Sequence, residues 1–409
     1  MGNHKPAVCK LQGVIRNYDW GGTEFLSQLL SYPNPQKKPM AEYWLGAHET
    51  APSLLLTEGE ELRLDQFIAK ETEKILGKPV AKKFGRLPYL LKVLDVKDML
   101  SIQVHPAKHA AEVEFARENA EGIPLSAPNR NYKDDNHKPE LIVALGNFWL
   151  LHGFKPVEEL RTILQTVGEL KPLLDIFNAT GYDQLYKTVM EMPQQSVNEL
   201  LQPLLKRIIP LYQNSQLTKE QEDFWAAKAA ITFNQDKKID RGIFSIYFFN
   251  LVQLQKGEGM FQGAGTPHAY LEGQNVEIMA NSDNVLRGGL TKKHVDVKEL
   301  MKHIQFEETV PHIIHPQKSD KREEVYRTAA PDFKLSRFEL KEGESASFES
   351  VTGEIILMME GKVLIYYNDG VVNLSKGEAD FVISHQQVIL KALTPVDLYR
   401  ASVPVHSGV

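Results

Sequence analysis

Apolar and polar positions along this chain follow different periods in different blocks. Residues 11–60 carry short apolar runs between turn-forming residues: Ala41-Glu42-Tyr43-Trp44-Leu45-Gly46 and Ser53-Leu54-Leu55-Leu56 read as strands, and Asn17 to Gly22 as a turn. Leu64, Phe67, Ile68, Ile75 and Leu76 have helical spacing and predict a helix over 64–76. Residues 87–105 read as strands, 108–119 as a helix, and 129–137 as a polar surface loop. Pro139 suits a strand start, so Glu140 stands at the mouth of the apolar strand Glu140 to Leu145, and 148–154 continues the β pattern.

The period lengthens at Lys155-Pro156. Leu160, Ile163, Leu164 and Val167 recur at three and four residues, and Pro156 suits a first helical turn. Ser196 to Glu199 and Thr218 to Gln221 match the capping box that starts helices. The block to about residue 236 is therefore helical and carries no evident chemistry. From Gly242 the β pattern returns, with a long strand expected over 243–254 and a hairpin over 256–261. The polar run Asn281 to Asn284 interrupts an apolar region and would need a partner for each buried group. From Phe333 the chain is all short strands: 333–340, 346–349, 354–359, 362–367, 370–374, 379–383 and 387–393, forming a small sandwich or barrel. Its histidines, His385 and His406, lack ligand spacing, so no metal is expected there.

Composition narrows the chemistry. The 409 residues suffice for two or three domains. With 53 acidic and 47 basic residues, the net charge of −6 argues against a general nucleic-acid binder. Cys9 is the one cysteine, so no internal disulfide and no thiolate-rich metal site can form. The first ten residues lack a signal-peptide core, and no run of 18 apolar residues occurs. A soluble, cytoplasmic protein with no membrane contact is the expectation. No Gly-x-x-x-x-Gly-Lys-Ser/Thr loop is present, so no nucleotide is expected.

Ser101-Ile102-Gln103-Val104-His105-Pro106 is the central motif. On a strand, Ser101, Gln103 and His105 share one face, with the amide and imidazole roughly 6–7 Å apart along the backbone. That is half of a metal site; Glu140 and His268 are candidates for the other half.

Four stretches, in order, resemble the type I phosphomannose isomerases (mannose-6-phosphate isomerases). They are Ala41 to His48; Leu87 to Leu94 with Leu100 to Pro106; Asn136 to Glu140; and Pro267 to Leu271 with Asp283 to Lys293. The resemblance implies two cupin-like jelly-roll β-barrels with an inserted helical domain. The expected division is a catalytic domain of 1–154 with 240–325, a helical domain of 155–239, and a C-terminal β domain of 326–409. It implies one zinc ion per chain, held by Gln103, His105, Glu140 and His268, and a sugar phosphate as substrate. The implied reaction interconverts mannose 6-phosphate and fructose 6-phosphate through a cis-enediol.

Within that reading Lys138 is the expected base for the proton on C2, with a cation and Arg287 nearby to favour its neutral form. His137 and Asp283 are candidates for ring opening; Asp283 could instead orient Arg287, and His137 could be a solvated loop residue. Arg287 cannot be a base and would stabilise the enediolate or the phosphate. Lys92, Ser101 and Lys293 match positions that bind phosphate in the family. Trp20 and Trp44 are expected to be packing residues. The alternatives are a non-catalytic cupin-like binder of metal or sugar phosphate, and a metal-dependent oxygenase, against which Gln103 argues. A monomer is expected.

Overall fold

The structure, a computed structural model, describes residues 7–405 except 58, 237 and 320. His406 therefore lies outside the described residues. The chain is mainly β, with helices, and its strands pair antiparallel in three sheets.

The 10-stranded sheet holds the central motif. Its organising strand is His268–Ala280. The first part of this strand pairs with Phe148–Phe154 and with Gln103; the second part lies between Tyr89–Val96 and Glu140–Ala144. The switch falls at Gly273, where φ is +127° and a Cβ would sit 2.6 Å from the Asn147 carbonyl. Only glycine suits such a turn-over point. Leu94, Val96, Ile142, Phe148, Leu150 and Leu254 form one apolar core inside the sheet.

The second sheet has nine strands and crosses the expected domain boundary. Val8–Gln12 pairs with Ala379–Val382 on one side and Leu54–Thr57 on the other, so N-terminal strands complete a C-terminal sheet. Its outer neighbour is a four-stranded sheet of Ser345–Ser350, Gln386–Ala392, Lys362–Tyr367 and Gly370–Ser375. Phe338, Ile356, Val363, Leu390 and Leu398 fill the gap between these two. The seven expected C-terminal strands are all present. An eighth, Val396–Ser402, is central to the nine-stranded sheet. Its alternation was hidden by Asp397 and Arg400, which are buried and ion-paired to Arg337 and Glu354.

The helical block, Val157–Thr166 through Glu222–Phe233, buries its apolar faces against Ile102, Val104, Leu151 and Phe154 of the 10-stranded sheet. Four expectations need correction here. The strand expected over 243–254 is a helix, Gly242–Phe248, followed by the strand Phe249–Leu254. All seven helix residues are buried, so no polar face was available to reveal its period. The expected 256–261 hairpin is a turn between strands that do not pair: Phe249–Leu254 pairs with Phe148–Phe154, and Gly259–Gln262 with Glu140–Ala144. The helix expected over 64–76 is two, Leu64–Lys70 and Thr72–Leu76. Ser196 caps nothing, since its helix, Gln194–Gln213, starts after Pro193. Gln221 does reach back to the Thr218 N–H at 2.8 Å, half of the expected box.

Asp240 joins the helical block to the loop that carries Arg287. Its carboxylate accepts the N–H groups of Gly242 (2.7 Å), Leu290 (2.9 Å) and Thr291 (3.1 Å). Gly289, with φ at +118°, packs so tightly that a Cβ would lie 2.5 Å from the Gly242 Cα. Asp240→Ala would strand three backbone donors, and is expected to lower stability by about 3 kcal/mol. Asp240→Asn, which keeps one acceptor oxygen, should fall between the two. Urea denaturation of the three proteins checks this ordering.

Candidate active site and metal centre

Three ligand groups converge where the strands meet. The coordinating atoms of His105, Glu140 and His268 all lie within 4.8 Å of one another, and all three residues are buried. Glu140 Oε1 is 3.4 Å from His105 Nε2, and its Oε2 is 3.4 Å from His268 Nε2. Both imidazoles are oriented from behind. His105 Nδ1 donates to the Asn284 carbonyl at 3.0 Å, and His268 Nδ1 to the Thr266 carbonyl at 2.9 Å. A carbonyl can only accept, so the proton is on Nδ1 and each Nε2 presents a lone pair. Those Nε2 atoms are buried and make no hydrogen bond among the described residues. Two inward lone pairs beside a carboxylate, each imidazole held by an outer carbonyl, is the donor arrangement of a zinc site. Gln103 is the Cα partner of His268 and lines the same cavity. That cavity, about 40 Å³, is large enough for an ion and a water.

A buried ladder of charged groups runs from this centre to the Trp44 ring. Lys138 Nζ is 2.8 Å from Glu140 Oε1. The Tyr270 hydroxyl lies 3.3 Å from Glu140 and 2.9 Å from Glu277. Glu277 accepts from Lys92 at 2.9 Å, its register partner across the sheet, and Glu42 is 3.8 Å from the same ammonium. Glu42 in turn accepts from the Trp44 indole. Burial opposes ionisation of Glu140, but the Lys138 ammonium outweighs it and holds the carboxyl well below its usual range. Burial would lower Lys92; Glu277, Glu42 and Glu140 reverse this and raise it. Burial raises Glu277 despite Lys92.

The small cavity opens into a cleft of about 560 Å³ that shares Lys92, Gln103 and Lys138 with it. Ser101, Asp283, Arg287 and Lys293 also line the cleft. Burial lowers the Arg287 guanidinium, which remains charged, and lowers Lys293 with help from Arg287. The expected network over Asn281 to Asn284 is present in part: Asn281 Oδ1 is buried without a hydrogen-bond partner among the described residues. Asn284 donates to the carbonyls of Asp134 and Asn136 and accepts from Lys133 N–H, which fixes the loop leading to Lys138.

Of the expected residues, His137 stands apart from both the cleft walls and the metal centre. Its Nε2 is 2.8 Å from the buried carboxylate of Asp332. Asp283 pairs with His48 at 3.4 Å and makes no ion pair with Arg287. Trp20 and Trp44, expected to pack, also line the cleft, and the Lys92 ammonium sits 5.2 Å over the Trp44 ring. Glu42, His48, Tyr270 and Glu277 were given no role by the sequence reading. The signal was there for Glu42 and Glu277: each is the single charge inside an apolar strand segment.

The fold and these side chains define a β-rich protein built to hold one divalent cation at the floor of a cationic cleft. The type I phosphomannose isomerase catalytic domain matches residues 8–157. The mannose-6-phosphate isomerase of Escherichia coli (strain K12) is 36% identical over 386 residues, covering 93% of this chain and 96% of that protein. That of Rattus norvegicus is 34% identical over 427 residues, covering 96% and 97%. The crystal structure of mannose 6-phosphate isomerase from Salmonella typhimurium bound to substrate (F6P) and zinc superposes with a TM-score of 0.88. It is 34% identical and covers 98% of this chain and 100% of that one. The chain belongs to the type I phosphomannose isomerase family. No helix among the described residues is long and apolar enough to cross a membrane.

Burial, with Lys138 adding to it, pulls the His105 imidazole down to about 4. Burial does the same to His152, whose Nδ1 meets Gln262 at 2.8 Å, also to about 4. Both are neutral when folded, whereas unfolded histidine titrates near 6.5. Between these values the unfolded chain binds more protons, so stability is lost as pH falls from about 6.5 towards 4. For protein stripped of metal, each histidine contributes at most about 3 kcal/mol of this loss. Urea denaturation at pH 7 and pH 5 should show the drop, and His152→Gln should shrink it by about half.

Proposed function

We propose that this chain catalyses the reversible conversion of mannose 6-phosphate into fructose 6-phosphate, with one zinc ion per chain. The observation that carries this reading is the pair of buried, inward Nε2 lone pairs on either side of Glu140, at the floor of a cleft walled by Lys138, Lys92, Arg287 and Lys293. Zinc, held by Gln103, His105, Glu140 and His268, would supply a Lewis acid beside the sugar oxygens.

The remaining work falls to the chain's own groups. With a divalent cation compensating Glu140 in its place, Lys138 can shed its own proton and take that of C2 of the open-chain aldose as O1 gains one, giving the cis-enediol. Return of a proton to C1, with loss of one from O2, yields the ketose. Arg287, unpaired and half-buried, stabilises negative charge developing on the enediol oxygens or held by the phosphate. Lys293 and Ser101 at the cleft wall suit the phosphate, and Lys92, anchored by Glu277, presents its remaining N–H groups to the substrate. Asp283, backed by His48, serves the ring-opening proton transfer. We assign His137 to the same step only through its position next to Lys138, since its ring is engaged by Asp332. The finer architecture we infer is a catalytic cupin-like unit (1–154 with 240–325), a C-terminal cupin-like unit (326–409) and an inserted helical unit (155–239). The cores around Leu94 and Ile142 and around Phe338 and Ile356 support two β units, which a further core containing Leu11, Tyr89, Leu335 and Tyr399 joins.

An isomerase assay on mannose 6-phosphate tests the reading. Turnover should vanish on chelation and return with zinc. Lys138→Ala and Arg287→Ala should each keep bound zinc and lower kcat by about a hundredfold or more. Glu140→Ala should weaken zinc binding more than about a hundredfold, since even outer-sphere partners account for 10- to 100-fold. Full turnover by metal-free protein, or by zinc-loaded Lys138→Ala, would contradict the assignment concerned.

A further inference from the structure

A second cavity, about 450 Å³, adjoins the cleft and shares Phe233, Thr291, Lys292 and Lys293 with it. Lys238 and Arg241 carry its far wall, on the segment between the helices Glu222–Phe233 and Gly242–Phe248. Four cations thus face one another around a concave space. The single acidic residue in the wall, Asp240, is turned to the backbone N–H groups of Gly242, Leu290 and Thr291.

None of the four cations forms an ion pair with a carboxylate among the described residues; Arg241 donates instead to the Met190 carbonyl. Elsewhere on the helical block several cations are neutralised, although Lys171, Lys187 and Lys206 form no ion pair among the described residues. Arg207 is held 2.9 Å from both Glu169 and Asp223, and Lys228 2.8 Å from Glu272. In a protein of net charge −6, a concave cluster of unneutralised cations attracts anions and concentrates them. Because Lys293 and Lys292 belong to both spaces, an anion in the cleft and one in the annex would share these two ammonium groups.

We propose that this annex is a second phosphoryl subsite, and that a compound with two linked phosphoryl groups binds across cleft and annex and competes with the sugar phosphate. The inference rests on the cleft holding the phosphate of a sugar, as proposed above. The shared chemistry is a diphosphate, which can be free pyrophosphate or the diphosphate of a nucleotide. A monophosphate substrate fills only one of the two subsites, so Lys238 bears on diphosphate affinity and not on turnover.

Titration calorimetry of the zinc-loaded enzyme reads this directly, with pyrophosphate, orthophosphate and ADP as probes. Pyrophosphate should bind once per chain, at least about tenfold tighter than orthophosphate, and be displaced by mannose 6-phosphate. Lys238→Glu should weaken pyrophosphate binding about tenfold, and Lys238→Arg should restore it, with KM and kcat for mannose 6-phosphate unchanged in both. ADP as tight as pyrophosphate would identify a nucleotide diphosphate as an occupant. ADP at least tenfold weaker would identify the free diphosphate; the subsite stands in either case. Pyrophosphate no tighter than orthophosphate, or unaffected by Lys238→Glu, would overturn the proposal. So would zinc appearing in the ultrafiltrate in step with the heat, which would mark simple chelation. A Lys238-dependent pyrophosphate site on a protein that fails to isomerise sugar phosphate would overturn the reaction and leave the subsite. Isomerase activity without that site would overturn the subsite alone.

Discussion

The Glu140 carboxylate is a nearly fully buried anion, and the rest of the site follows from having to keep it there. An uncompensated buried charge is costly enough that the group would take a proton instead. Lys138 supplies one counter-charge, and the two imidazoles turn their Nε2 atoms inward beside it. Lone pairs next to a carboxylate stabilise nothing by themselves; they make sense as three donors around one cation. The compensation then propagates. Tyr270 bridges to Glu277, Glu277 needs Lys92, and Lys92 lies against Glu42 and the face of Trp44. Three carboxylates against two ammonium groups leave the ladder one charge negative. A divalent cation reverses that sign, so metal binding and attraction of an anionic substrate come from the same set of residues.

Geometry makes the ladder possible. Residues as distant as Glu42, Lys92, Glu140 and Glu277 become neighbours because His268–Ala280 runs through the whole 10-stranded sheet and changes partners at Gly273. One strand then contributes a ligand at its start, the bridging Tyr270 next, and Glu277 near its end. The helical block backs the face that carries Gln103 and Arg287 through Ile102, Val104 and Leu286, while Asp240 clamps the glycine turn after Arg287. Rigid support from two directions is what a precise arrangement of ligands and cations requires.

Much of this was legible in the sequence, and what was not has a physical reason. Gln103 and His105 could be read because their alternate spacing suits a strand face, although the strand covers only Gln103–Val104 and His105 lies just beyond it. The C-terminal strands could be read because half-buried strands alternate; Lys362–Tyr367 has the expected bounds. Where both faces are buried the alternation disappears, so Gly242–Phe248 passed for a strand and Val396–Ser402 was passed over. Sheet order depends on contacts between residues far apart in the chain, so nothing local revealed that Val8–Gln12 pairs with Ala379–Val382. Glu42 and Glu277 were visible as isolated charges in apolar strands, but their meaning depended on which strand lay opposite. A buried charge can be seen in a sequence; its partner generally cannot.

Sorting the cations by partner separates two jobs that the sequence left merged. Lys92 and Lys138 point into the ladder and are each within 3 Å of a carboxylate. Without a metal their charge is largely spent on holding the buried anions; beside a divalent cation Lys138 can give up its proton, while Lys92 keeps directed N–H groups at close range. Arg287, Lys292 and Lys293 have no carboxylate partner among the described residues. An unneutralised cation in a cleft keeps its long-range field, which is what draws in and holds a phosphate. In the proposed reaction, proton transfer and sugar alignment would fall to the paired, buried lysines, and phosphate recognition to the unpaired cations at the rim. The two groups lie at different depths of one cleft, so on the proposed reading a sugar phosphate would have one way round to enter it: phosphate at the rim, and its reacting carbons towards Lys138 and the metal centre.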